Sequence, residues 1–141
     1  MLDGVIVMDL VRQAAAARQQ AYVPYSAFPV GAALRTRSGK TYTGCNIENA
    51  SFGLTVCAER VAIWKAVSEG ETEFEGLAVV TNIAGSPCGA CRQVMVEFAP
   101  DMPVVIADLS GIDAITSIDL LLPHAFRPEH LQQAASVAEL P

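Results

Sequence analysis

Charge is scarce in this chain, and basic charge is scarcest. Only 17% of its 141 residues are Asp, Glu, Lys or Arg, against about 25% in an average domain. Nine Lys and Arg stand against 15 Asp and Glu, a net charge of −6. A protein that grips a phosphate backbone relies on Lys and Arg to release counterions. The balance here argues against nucleic acid and for a small, uncharged ligand. So little charge also fails to coat a lone small globule, so part of the surface is expected to be hidden in an oligomer. Long apolar runs are missing too. The best candidate, Val5 to Met8, is far short of the roughly 20 residues a membrane-spanning helix needs. Met1-Leu2-Asp3 opens without a basic leader or small-residue cleavage site, so no export signal is expected and a cytoplasmic location is. Internal repeats, low-complexity tracts and long charge runs are absent. What remains is 52% hydrophobic. The length suits one domain over residues 1–141, able to bury roughly two thirds of its unfolded surface without disulfides.

The pattern along the chain alternates helix and strand. Asp9 to Ala21 reads as a first helix, capped by Asp9, with Leu10, Ala14, Ala17 and Ala21 on one stripe. Tyr22-Val23-Pro24-Tyr25 ends it. Val30 to Thr36 and Thr41 to Ile47 read as strands joined by a Ser38-Gly39 turn. Glu48 to Gly53 is loop-like. Val56 to Glu69 reads as a second helix, with Thr55 as cap and Gly70 as stop. Leu77 to Thr81 and Val104 to Ala107 are apolar runs of buried-strand length, flanking a helix over Cys88 to Phe98. A short strand at Ile112 to Ile115 and helical pieces at Ile118 to Leu122 and Glu129 to Ala135 complete an α/β layered chain.

Four cysteines (Cys45, Cys57, Cys88, Cys91) in a chain without export signals are expected to stay reduced and to bind metal or do chemistry. Cys88-Gly89-Ala90-Cys91 opens a helix, whose unpaired N–H groups favour thiolate. Alone, that pair fits a zinc site or a redox disulfide equally. Cys57, in the first turn of another helix, decides for metal. Three soft ligands from two helix N-termini make an open tetrahedral zinc site with one place free for water. Glu59 is too close to Cys57 to be a comfortable fourth ligand, yet near enough to take a proton from that water. Three thiolates on Zn²⁺ leave excess negative charge. Arg60 and Arg92 follow the cysteine motifs closely, and at least one is expected to hydrogen-bond a sulfur. Asn46 and Glu48, two apart at a strand end, share a face and can together grip a sugar hydroxyl, or simply shape a turn. Cys45 faces the other way and reads as a small buried apolar residue.

These residues carry a resemblance. Cys57-Ala58-Glu59 followed by Pro87-Cys88-Gly89-Ala90-Cys91 is similar to the zinc nucleobase-deaminase signature in its three-cysteine form. The chain resembles the small homotetrameric cytidine deaminases in five further stretches. They are Val23-Pro24-Tyr25-Ser26 through Phe28-Pro29-Val30-Gly31-Ala32-Ala33, Gly44 to Ser51, the Arg60 and Arg92-Gln93 flanks, and more weakly Leu121-Leu122-Pro123 to Phe126. The resemblance implies a three-layer α/β/α sandwich with a mixed, mostly five-stranded sheet. It implies one zinc per chain and hydrolytic deamination of cytidine and 2′-deoxycytidine in pyrimidine salvage. It assigns Asn46 and Glu48 to the ribose, Phe28 to the nucleoside pocket, and Phe126 to a neighbouring subunit's base in a homotetramer with shared sites. The backbone around Ala58 and Ser86 is implied to read the base edge. Phe52 stands where the family often has tyrosine, leaving only ring contacts. Glu59 is implied to move a proton from water to N3 while C4 is attacked, before ammonia leaves.

Competing readings share parts of this pattern. A deaminase of another base or of a cytosine-like antibiotic shares the zinc motifs, and Asn46 and Glu48 discriminate. A polynucleotide deaminase is disfavoured by charge. A closed structural zinc site would use all four cysteines. A thiol–disulfide protein would leave Cys57 and Glu59 without a task.

Overall fold

The computed structural model describes residues 2–132. Helix α1 spans Gly4–Arg18, and the Asp3 carboxylate caps it by accepting from Ile6 N at 2.9 Å. This corrects the expected start at Asp9. The uninterrupted run Val5 to Met8 hides the helical period, whereas Val7, Leu10, Val11 and Ala14 form the buried stripe. Asp9 instead accepts from the side chains of Arg12 and Gln13 on the helix surface.

Strands β1 (Gly31–Thr36) and β2 (Thr41–Cys45) form an antiparallel hairpin. Gly39 takes φ +91°, which a side chain would resist. Helix α2 covers Ala58–Ser68, β3 Phe74–Val80, α3 Gly89–Phe98, β4 Pro103–Ala107, β5 Ile112–Ser117 and α4 Ile118–Leu121. A further helical stretch occupies 128–132. The expected helix at Glu129 to Ala135 therefore has its last three residues outside the described ones.

The five strands form one mixed sheet in the order β2-β1-β3-β4-β5. Only β3 and β4 run parallel, as a strand–helix–strand crossover through α3 requires. Alternation sorts the side chains between two faces. Ala33, Ala78, Val80, Val105 and Ala107 pack against α1. Ala32, Leu34, Leu77, Val79, Val104 and Ile106 pack against α2 and α3. The result is the expected three-layer α/β/α sandwich.

Register decides where a site can form. Gly31 pairs with Cys45 on one side and Val80 on the other. The start of β1 and the ends of β2 and β3 therefore meet at one edge of the sheet, the end toward which the N-termini of α2 and α3 open. Crevices beyond the carboxyl ends of strands are where α/β sheets bind ligands. Gly44 lets α2 come close there. A Cβ on it would meet Ala58 O at 2.3 Å and Ala62 N at 2.7 Å.

Candidate active site

The chain leaving β2 brings the first sulfur to this edge. Ile47 and Val56 exchange both backbone hydrogen bonds at 3.0 Å. That bridge closes the 47–56 loop and sets Cys57 beside the end of β2. Pairing by Val56 also explains why α2 begins later than expected. Cys57 is its N-cap, not a first-turn residue. Thr55 does not cap the helix; its hydroxyl accepts from Asn49 N and closes the loop. On the second arm, Cys88 is the N-cap of α3 and Cys91 sits in its first turn, fully buried.

The three sulfurs converge. Cys57 Sγ lies 3.8 Å from Cys88 Sγ, and Cys88 Sγ lies 3.5 Å from Cys91 Sγ. All three fall within 4.8 Å of one another. Tetrahedral Zn–S bonds of about 2.3 Å place sulfurs about 3.8 Å apart. The donor set therefore fits zinc in both chemistry and spacing. Among the described residues this is the only such cluster, and Cys45 lies outside it. Cys45 is half-buried, and burial pushes its thiol up.

The sulfurs differ in their hydrogen-bond partners. Hydrogen bonding from the Cys91 thiol, then the guanidinium of Arg60, holds Cys57 down to about 5. Arg60 Nη2 donates to Cys57 Sγ at 3.2 Å. Cys91, the donor in the first of these bonds, is pushed up by it and by burial. Arg92 does not reach a sulfur. Its guanidinium donates to Pro87 O, Leu121 O and Ser86 Oγ at 2.6–2.8 Å, which ties the loop before Cys88 to α4.

Glu59 is 3% exposed. Burial pushes its carboxyl up, against a hydrogen bond with the Cys91 thiol. It lines a cavity of about 300 Å³ together with Cys57, Cys88, Phe28, Asn46, Glu48, Ala58 and Ser86. The cavity is mostly apolar with a few convergent polar groups, as small-molecule sites are.

Asn46 and Glu48 also build the wall they line. The Asn46 amide accepts from Val30 N at 2.9 Å and donates to Phe28 O at 2.8 Å. Glu48 accepts from Tyr25 N at 2.9 Å, Ser26 N at 3.2 Å and the Ser26 hydroxyl. These bonds hold its carboxyl below the usual range, the Ser26 hydroxyl most strongly. Turn-shaping and cavity-lining thus coincide in the same two side chains.

Two of the aromatics lie outside the cavity. Phe52 is exposed, meets Tyr25 edge-on at 5.8 Å and borders a shallow neighbouring cleft. Phe126 is exposed and stacks on His130 at 5.7 Å. The sequence reading also missed wall residues, chiefly Ser26 and Thr81. Thr81 is buried at the end of β3, and its hydroxyl accepts from Gly85 N at 2.6 Å, shaping the loop that carries Ser86. A lone hydroxyl closing the apolar run Leu77 to Thr81 was the available signal.

Comparison with known proteins converges on one group. The profile of the "cytidine and deoxycytidylate deaminase zinc-binding region" matches residues 7–107. A cytidine deaminase of Sporosarcina psychrophila is 52% identical over 132 residues, covering 92% of this chain and 97% of the relative. A cytidine deaminase of Halalkalibacterium halodurans is 50% identical over 125 residues, covering 86% and 95%. The crystal structure of a cytidine deaminase from Burkholderia pseudomallei superposes with a TM-score of 0.81 at 50% identity, covering 84% of this chain and 98% of that one.

Proposed function

The chain belongs to the cytidine and deoxycytidylate deaminase family, and from that premise we propose that its cavity carries out zinc-dependent hydrolytic deamination of cytidine and 2′-deoxycytidine. The products are uridine or 2′-deoxyuridine and ammonia. The observation that carries this reading is the meeting of three sulfurs from two helix N-termini with a buried carboxyl in one small cavity.

Cys57, Cys88 and Cys91 would hold the zinc. When bound, zinc supplies a Lewis acid that makes water a better nucleophile near neutral pH. The chain supplies the rest. Glu59 takes a proton from the attacking water and places it on N3 as C4 becomes tetrahedral. It then carries the proton of the new C4 hydroxyl to the amine, so that the C4–N bond breaks, ammonia leaves and C4 becomes a carbonyl. Its buried position suits both transfers, because a carboxyl whose pKa is raised accepts and releases protons more evenly. Arg60 offsets the negative charge of the sulfurs, and Arg92 holds Ser86 in place.

Asn46 and Glu48 bind the ribose hydroxyls with the hydrogen-bonding capacity left over from bracing the 25–30 loop. Phe28 packs on the pyrimidine, and backbone groups at Ala58 and Ser86 face the base edge. Phe126 completes a neighbouring copy's pocket in a homotetramer, with Phe52 contributing ring contacts near the mouth. Support for assembly comes from the exposed Tyr25, Phe52, Leu54, Ile83 and Phe126 on a chain short of charge. Residues 1–141 act as one catalytic domain in cytoplasmic pyrimidine salvage. No helix among the described residues is long and apolar enough to cross a membrane.

A panel of cytidine, 2′-deoxycytidine, cytosine, adenosine and blasticidin, read by ammonia release alongside zinc content, tests the assignment. Turnover confined to the two cytosine nucleosides is expected. Preference for free cytosine, adenosine or the antibiotic would overturn it.

A further inference from the structure

Helix α2 carries one more side chain tied to the sulfur cluster. Trp64 is the single tryptophan of the chain. It stands one helical turn after Arg60, a spacing that puts both on the same stripe. The Arg60 guanidinium carbon lies 5.8 Å from the centre of a Trp64 ring, within cation–π range. Arg60 in turn donates to Cys57 Sγ at 3.2 Å. The rest of the guanidinium is thinly held. Its Nε is buried and has no hydrogen-bond partner among the described residues. No carboxylate pairs with Arg60 among the described residues either. Cys57 Sγ at the edge and the Trp64 indole are two contacts of this cation, and the Cys91 sulfur also acts on it. Core packing alone does not account for Trp64, because the residue is 49% exposed while Ile63 beside it is fully buried.

We propose that Trp64 is a positioning residue for the metal centre, whose ring holds the Arg60 guanidinium against Cys57 Sγ and so slows loss of the metal. A long arginine samples many rotamers unless something restricts it, and a flat guanidinium is suited to an aromatic neighbour. Removing the ring leaves every metal ligand in place. It frees the cation to leave the thiolate, and the clustered negative charge then loses its compensation. The proposal rests on the zinc reading of the three sulfurs.

The test is the rate at which zinc-loaded protein gives up its metal to excess chromogenic chelator. Wild type, W64F, W64L, R60A and the R60A/W64L double variant are compared. W64F and W64L both keep apolar bulk on α2, and only W64F keeps a π face. W64L is expected to release zinc about two- to fivefold faster than wild type, the range of a partly exposed cation–π contact. W64F should stay near wild type. In the R60A background W64L should add little. Equal rates for W64L and W64F would overturn the proposal, and so would the same acceleration with and without Arg60. Those outcomes leave the metal reading standing, whereas a wild-type protein that carries no zinc defeats the metal reading itself.

Discussion

Replacing Glu59 with glutamine keeps the shape of the side chain and removes its ability to carry a proton. The carboxyl is outside the sulfur cluster, so E59Q should retain zinc. Turnover should fall by about 10²- to 10⁴-fold, the usual contribution of a general acid–base. Metal content and kcat measured on one preparation check this, and near-normal kcat would exclude the proton role. Glu48 gives a prediction in pH. Its folded pKa is depressed by the Ser26 hydroxyl and by two backbone N–H groups. A depressed carboxyl contributes stability that is present above its ordinary value near 4.5 and lost as pH falls through the folded value. Wild type should therefore exceed E48Q in urea midpoint at pH 6, with the gap closing as pH falls below about 4.5. A gap independent of pH would show that the carboxylate charge is not what braces the 25–26 turn.

At the scale of elements, Gly44 is where β2 admits α2. The colliding atoms, Ala58 O and Ala62 N, are backbone and cannot step aside alone. G44A must push α2 outward, and Cys57 moves with it. Overpacking of this kind costs about 1–3 kcal/mol, so a lower melting temperature together with lower zinc content is expected. G53A has nothing within 4 Å of its new Cβ and should change neither. The elements also show what a sequence exposes and what it hides. Metal chemistry is local in sequence, so Cys57-Ala58-Glu59 and the Cys88–Cys91 pair can be read directly. Helix starts are less legible. Val5 to Met8 is apolar on every side, which masked the true beginning of α1 at the Asp3 cap. Val56 has no residue-level mark of its pairing with Ile47, which delays α2 until after Cys57. Arg92 owes its task to a tertiary contact with Leu121, which spacing does not reveal, whereas Thr81 closes a local loop by accepting from Gly85 four residues on.

At the scale of the whole molecule, the proposed sharing of sites makes subunits complementary. A chain carrying E59Q lacks the carboxyl but still offers Phe126; a chain carrying F126A does the reverse. Co-assembled after mixing in denaturant, the two should regain activity that neither shows alone, and simple additivity would mean that each chain works with its own Phe126. All of this depends on the sulfurs closing around one ion while leaving one place open to solvent and to Glu59. Zinc K-edge X-ray absorption on the purified protein tests that most directly. The account predicts three sulfur scatterers at about 2.3 Å and one oxygen or nitrogen at about 2.0–2.2 Å. Four sulfurs around the zinc would mean a closed structural site and would contradict it.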